Sequence, residues 1–124
     1  MTEMLYKQDV FQVVGYCMEI HRELGKGHDE VIYKDALGVE LSGAQIPFSR
    51  EKNYEVTYKG VVLPHFYYAD FVIWDKILFE AKAVERLTDA HLKQVLNYLA
   101  ASKVRLGLLV NFGSDSLEWR RVIL

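Results

Sequence analysis

Residues 69–84, ADFVIWDKILFEAKAV, contain the pattern that decides the fold and the chemistry of this chain. Asp70 lies in one aromatic and β-branched stretch, and Glu80-Ala81-Lys82 lies in the next. Residues two apart in a strand point to the same face, so Glu80 and Lys82 share one face. Because a buried charge is costly unless it is paired or binds a metal, charged residues at central strand positions indicate a functional site.

The length of the loop between these two strands decides whether Asp70 meets Glu80. With a two-residue loop, Asp70 would face Ala81 and the Glu80 side chain would point to the opposite side. With residues 74–76 in the loop, Asp70 would lie across from Glu80. Since the two carboxylates form a site only when they share a face, we predict an odd-length loop or a β-bulge between the strands.

Two carboxylates on neighbouring strands favour a metal site. They repel each other unless a cation lies between them. Together with a backbone carbonyl and waters they offer the oxygen ligands that Mg²⁺ prefers. Lys82 beside them would hold or deprotonate an attacking water. Taken by itself, the Glu80-Ala81-Lys82 pattern favours an ordinary exposed charge pair on an edge strand.

The flanking sequence predicts helices on either side of a mixed sheet. Apolar residues recur every three or four positions over residues 7–24, over about 29–41, and after Thr88, which predicts three helices. Apolar runs that alternate with polar residues or are continuous predict strands, at 54–58, 66–73, 77–84, 106–112 and 118–124. The expected fold class is a single α/β domain over residues 1–124.

Composition narrows the class of protein. The chain has 124 residues, of which 51% are hydrophobic and 26% charged, and this excludes a disordered chain or a coiled coil. A formal net charge of −2 excludes the strong positive field of a general nucleic-acid binder. The single cysteine, Cys17, excludes an internal disulfide and fits a reducing cytoplasm. Because no membrane span or secretory signal is visible, we expect a cytoplasmic protein without a membrane partner.

Other polar side chains are expected to join the acidic pair. Glu30 lies in the first turn of the second helix, although the helix dipole alone favours an acid there. Gln94 and Tyr98 lie one turn apart on the third helix, and His91 lies on the same side. A glutamine at this position can hydrogen-bond to a water or to a phosphate oxygen.

Several residues have structural interpretations that compete with functional ones. Lys26 lies between two glycines and could contact a phosphate, but Gly25 is expected to end the first helix. The aromatic residues between Phe66 and Trp74 are expected to pack on the sheet rather than stack on bases. The four histidines show no spacing typical of zinc ligands.

The order and placement of these residues resemble the PD-(D/E)XK nuclease superfamily. The resembling pattern is Asp70, then Glu80-x-Lys82, preceded by Glu30 on a helix and followed by Gln94-x-x-x-Tyr98. Residues 27–33, GHDEVIY, are similar to the signature of its GxxExxY branch, and residues 91–113, HLKQVLNYLAASKVRLGLLVNFG, to the third helix and the strand after it. The proline of the family motif is absent, and Ala69 occupies its place.

The resemblance implies a restriction-endonuclease-like α/β/α fold and roles for particular residues. Asp70 and Glu80 would bind Mg²⁺, with Mn²⁺ as a substitute, and Lys82 would orient or activate the attacking water. Glu30 would support the metal site, and Gln94 would assist from the third helix. Three further residues are candidate substrate contacts: Lys26, His91 and Tyr98. The implied function is hydrolysis of phosphodiester bonds in DNA or RNA by a metal-activated water.

Two other functions are compatible with the same residues. One is a catalytically silent module that keeps the fold and binds nucleic acid or protein, which the near-neutral charge favours. An intact acidic set disfavours it, because unneeded buried carboxylates cost stability. The other is an enzyme that acts on nucleotides or another phosphate ester.

Partners and stability give two further expectations. With no extra domain for recognition, a homodimer or a partner protein is expected to supply it. Because clustered carboxylates repel without metal, Asp70→Asn is expected to raise the melting temperature of the metal-free protein.

Overall fold

The computed structural model describes residues 4–124, in which five strands form one mixed sheet with helices on both faces. The helices are α1 (Lys7–Leu24), α2 (Glu30–Gly43) and α3 (Asp89–Ser102). The strands are β1 (Phe48–Tyr58), β2 (Val61–Ile73), β3 (Ile77–Lys82), β4 (Leu106–Asn111) and β5 (Glu118–Ile123). They lie in the order β1-β2-β3-β4-β5, and only the pair β3–β4, which α3 connects, is parallel.

Two hydrophobic cores cover the two faces of the sheet. On one face, α1 and α2 pack on alternate residues of β3 and β4, such as Phe79 and Leu108. On the other face, Val95 and Leu99 of α3 pack on Leu78 and its neighbours. Strands β3 and β4 are therefore largely buried on both faces, which is why residues 106–110 form a nearly continuous hydrophobic run.

Local sequence explains where two of the helices begin and end. Gly25 has a φ of 67°, and its N–H donates to the His21 carbonyl at 2.8 Å, which ends α1. Thr88 precedes α3, and its N–H donates to His91 Nδ1 at 2.9 Å in a capping box.

The predicted α/β class, the three helices and the buried strand β4 are confirmed. No helix within residues 4–124 has the length and apolarity needed to cross a bilayer.

The hairpin of β1 and β2 extends beyond the sheet as a two-stranded ribbon, because β2 pairs with β3 only from Phe71 to Ile73. Both strands are longer than predicted: β1 begins at Phe48, in a mixed polar stretch without alternation, and β2 begins at Val61, before the predicted aromatic stretch. Phe71 is fully buried as expected, but Phe66 and Tyr68 are 44% and 53% exposed. The prediction that these two aromatic residues pack on the sheet was wrong, because they lie where the ribbon has left it.

One buried side chain holds the connection between β3 and α3. Asn111 Oδ1 accepts from the N–H of Val84 at 3.0 Å and from that of Gly113 at 2.9 Å. Its Nδ2 donates to the Val84 carbonyl and to Glu118 Oε1, both at 2.9 Å. Glu118 Oε1 also accepts from the N–H of Leu87 at 3.0 Å. The path from the end of β3 to the start of α3 is therefore fixed by the ends of β4 and β5.

Gly113 has no room for a side chain. A Cβ at this position would lie 2.4 Å from both the backbone N and O of Val84, and backbone atoms cannot rotate away. We expect Gly113→Ala to lower the free energy of unfolding by about 1–3 kcal/mol. Gly15 in α1 has no atom within 4 Å of such a Cβ, so Gly15→Ala should raise it by about 0.5–1 kcal/mol. Urea unfolding of both variants checks this, and equal stabilities would contradict it.

Candidate functional site

The candidate site lies where β2 and β3 diverge, and we call this place the strand fork. Regular pairing ends at Phe71 and Phe79, and side chains then replace the ladder. The N–H of Asp70 donates to Glu80 Oε2 at 2.7 Å, and the N–H of Ala81 donates to Asp70 Oδ2 at 2.9 Å. Asp70 and Glu80 are only 8% and 3% exposed. Two carboxylates are thus buried side by side, each bonded to the backbone of the opposite strand.

The odd-length loop predicted from the sequence is confirmed. Ile73 pairs with Ile77, which leaves residues 74–76 in the loop. Continuing this register one step past the ladder brings Asp70 across from Glu80, in agreement with the two hydrogen bonds between them and the facing backbone. The parity of the loop therefore determines that the two acids meet.

The regular alternation of β2 breaks at Asp70. Phe71 packs in the core on the α1 and α2 side, whereas Ala69 packs in the core on the α3 side. Residues two apart normally share a face, so the strand twists between them. Glu51 lies opposite Asp70 in the register of β1 and β2 and has a φ of 54°, a left-handed conformation that is uncommon for a residue other than glycine. The backbone irregularity thus coincides with the fork.

Lys34 of α2 is a site residue that the sequence motifs did not indicate. Its Nζ donates to Glu51 Oε1 at 2.7 Å and to Asp70 Oδ1 at 3.2 Å. The side chain is only 13% exposed. Its position one helical turn after Glu30 was the available signal, because residues four apart share a helix face. Glu51, the other missed residue, lies in a mixed polar stretch that offers no such signal.

Glu80 is the acid of the fork whose ionised form is least favourable. Burial, and after it the negative charge of Asp70, raise the pKa of Glu80 to about 8, although the Asp70 N–H and the Lys82 charge oppose this. Asp70, by contrast, has Lys34 as a cationic partner. The expectation that Asp70→Asn stabilises the metal-free protein assumed that neither acid had such a partner. From the structure, we instead expect Glu80→Gln to raise the melting temperature of the metal-free protein.

The remaining predicted helpers line the fork from the two helices. Glu30 is half-buried at the start of α2; burial raises its pKa, the charge of Lys82 lowers it, and the charge of Asp70 raises it. On the other side, Lys82 Nζ donates to Gln94 Oε1 at 2.7 Å. The sheet thus brings together Asp70, Glu80 and Lys82, and each helix adds one predicted residue.

Tyr98 lies one turn beyond Gln94 and also borders the fork. Its ring packs against that of Tyr67 with centroids 5.3 Å apart. Burial, and then the charges of Glu80 and Asp70, raise the pKa of its hydroxyl. Tyr98 is therefore both part of the α3 core and a neighbour of the two acids.

Two predicted substrate contacts have other partners. Lys26 Nζ donates to Asp115 at 2.5 Å, and His91 Nδ1 accepts from the Thr88 N–H at the start of α3. Within residues 4–124, no hydrogen bond or ion pair joins Lys26 or His91 to the strand fork. The structure gives both residues local structural roles.

The strand fork has a donor set that suits a hard divalent cation. It combines four carboxylates with two ammonium groups: Glu30, Glu51, Asp70, Glu80, Lys34 and Lys82. If all six are ionised, four negative and two positive charges leave an excess of two negative charges, carried on the oxygen ligands that Mg²⁺ prefers. No three His, Cys, Asp or Glu side chains of the described chain are grouped closely enough to hold a metal. The oxygen ligands of the fork suit such an ion chemically. In the structure, the cation beside Asp70 is the ammonium group of Lys34.

The raised pKa of Glu80 links stability to pH. Between its ordinary value of 4.5 and about 8, the folded protein binds this proton more tightly than the unfolded chain does. The stability contributed by protonated Glu80 is therefore complete below pH 4.5 and is lost as the pH rises through 8. We expect a loss on the order of a few kcal/mol across this window in metal-free protein.

Urea unfolding in the presence of a chelator, at several pH values, measures this loss. Glu80→Gln keeps the shape of the side chain and should remove most of the pH dependence. Glu55→Gln, at an exposed position of β1, is the matched control and should behave as the wild type. Identical pH profiles for wild type and Glu80→Gln would contradict the linkage.

Comparison with known proteins identifies a family that this chain matches. A family model described as the PD-(D/E)XK nuclease superfamily matches residues 7–122. The fold also resembles the crystal structure of a protein named SSO0001, with a TM-score of 0.62 and 23% identity over 76% of this chain and 50% of that one. This chain thus spans about half the length of that protein, and the likeness supports the fold alone. A search of curated proteins gives no match. Membership of the GxxExxY branch stays a prediction.

Proposed function

Because the chain belongs to the PD-(D/E)XK nuclease superfamily, we propose that it hydrolyses phosphodiester bonds of DNA or RNA with the help of a divalent metal ion. The observation that carries the proposal is the burial of Asp70 and Glu80 side by side in the strand fork. Such a pair destabilises the metal-free fold, and acids with perturbed pKa values in a polar cluster are typical of functional sites.

Asp70 and Glu80 are the proposed metal ligands, with Mg²⁺ as the ion and Mn²⁺ as its substitute. One oxygen of each carboxylate already accepts a backbone N–H, which holds both groups in a defined orientation. Glu30 supports the metal site from α2. A bound divalent cation supplies Lewis-acid stabilisation of the charge that develops on the phosphoryl oxygens, and it makes water a better nucleophile.

Lys82 is the proposed catalytic donor. Its Nζ donates to Gln94, so the group that faces the fork is an ammonium with further N–H bonds to offer. We assign Lys82 to orienting the attacking water and to stabilising negative charge on the phosphate, and Gln94 to positioning Lys82. In the reaction, the water oxygen bonds to phosphorus and the bond from phosphorus to the 3′ oxygen breaks. The products are a 5′-phosphate and a 3′-hydroxyl.

Substrate recognition is the less specified part of the proposal. Tyr98 borders the fork and remains a candidate substrate contact, whereas the local bonds of Lys26 and His91 weaken the case for both. The formal net charge of −2 provides no general attraction for nucleic acid. We therefore assign part of the recognition to a second copy of the chain or to a partner protein.

The alternative function is a silent module that binds nucleic acid or protein. The observation that favours it is the internal pairing of both lysines of the fork, Lys34 with Asp70 and Lys82 with Gln94. A module of this kind would keep the buried acids but would neither take up metal nor cut a substrate.

Metal binding and cleavage together distinguish the two functions. We expect calorimetric titration with Mn²⁺ to show one saturable site in the wild type and none in Asp70→Asn. Lys82→Gln should keep the metal site but cut labelled DNA and RNA strands about 100-fold or more slowly. Asp75→Asn removes the same charge from an exposed loop residue and should match the wild type in both assays.

Two results would contradict the proposal. Cleavage that survives in Asp70→Asn would assign the activity to another site. Neither metal binding nor cleavage in the wild type, over single- and double-stranded DNA and RNA, would favour the silent module.

A further inference from the structure

We infer that Lys34 is a built-in counter-cation of the strand fork, which holds Asp70 and Glu51 in place before a metal binds and limits the affinity of the fork for that metal. The inference rests on the proposed function, because it adds a positioning residue to the same site. It concerns side chains of this chain alone and is tested by metal affinity rather than by activity.

The ion pair between Lys34 and Asp70 is more deeply buried than the other ion pairs of the described residues. The two side chains are 13% and 11% exposed, whereas every other ion pair within residues 4–124 includes a side chain that is at least 36% exposed. Buried charges are poorly screened by water and salt. An ammonium 3.2 Å from Asp70 Oδ1 is therefore the charged partner of that carboxylate inside the fold.

Glu51 gives Lys34 a second partner. The bond from Lys34 Nζ to Glu51 Oε1 is the shorter of the two, at 2.7 Å, and the Glu51 side chain is 51% exposed. Its left-handed φ of 54°, directly opposite Asp70, is a strained conformation that persists only where the surrounding structure imposes it. Lys34 therefore has a second, nearer partner at the surface that would remain if a metal displaced it from Asp70.

A divalent cation on Asp70 competes with Lys34. Two positive charges on the same buried carboxylate repel each other, so metal entry must weaken the bond between Lys34 and Asp70. Removing the ammonium should thus have two opposite effects. The metal-free protein loses the cation that neutralises its acids, and the metal meets a more negative site with no competitor.

Calorimetric titration of the full chain with Mn²⁺ tests this competition. In Lys34→Met, which keeps the aliphatic stem, we expect the Kd for Mn²⁺ to fall roughly 5-fold or more, a typical coupling between sites. The melting temperature without metal should fall as well. Lys76→Met is the matched control, because Lys76 pairs with Asp9 at 2.6 Å outside the fork, and its Kd should equal that of the wild type.

Glu51→Gln provides an independent variant should Lys34→Met fail to fold. With Glu51 neutral, Lys34 is left with Asp70 as its charged partner, so Mn²⁺ should bind more weakly than in the wild type. Where Lys34→Met does fold, the cost of Glu51→Gln should be smaller in the double variant than in the single one, because its effect acts partly through Lys34. Unchanged or tighter binding in Glu51→Gln would overturn the inference.

The titrations separate this inference from the proposed function. If the wild type binds Mn²⁺ and Lys34→Met binds it equally or more weakly, the counter-cation role is wrong and the metal-dependent function stands. If neither protein binds Mn²⁺, both proposals fall. Binding by Lys34→Met alone would support the inference, since Lys34 would then exclude the metal from the wild type.

Discussion

The burial of the Asp70 and Glu80 carboxylates side by side is the constraint on which the rest of the site depends. Both carboxylates lie inside the fold, where water cannot screen them. Their negative charges are partly compensated by two backbone N–H groups, by Lys34 on one side and by Lys82 on the other. The compensation is incomplete, as the raised pKa of Glu80 indicates, so a proton on Glu80 or, under the proposed function, a divalent cation would complete it.

The strands and the helices make separate contributions to this arrangement. The three regular pairs between β2 and β3 bring the two acids together, and the loss of pairing beyond them opens the fork. Each face of the sheet then contributes one helix, α2 with Glu30 and Lys34 and α3 with Gln94. Each helix is anchored by its own hydrophobic core, so each brings its polar residues to the fork from its own face of the sheet.

The sequence predicted what depends on periodicity and parity. The helix faces follow from apolar residues three to four positions apart, and the strands follow from their own apolar patterns. The meeting of Asp70 with Glu80 follows from the odd number of residues in the loop between β2 and β3. Lys34 was missed although it lies one helical turn after Glu30, because its partner Glu51 lies in a strand whose backbone turns left-handed at that residue, which leaves no periodic pattern in the sequence. The exposure of Phe66 and Tyr68 escaped for a related reason, since the point where the ribbon leaves the sheet depends on tertiary pairing.

The parallel pairing of β3 with β4 has a consequence for biosynthesis. All the side chains of the fork precede residue 100, but β3 gains its β4 neighbour only when residues 106–111 have been made. The link from β3 to α3 is fixed later still, by Asn111 and Glu118. A growing chain on the ribosome therefore carries every charged group of the fork well before β3 has the neighbour that buries it. Prematurely terminated chains that lack the last two strands contain the residues of the fork but leave one edge of β3 unpaired.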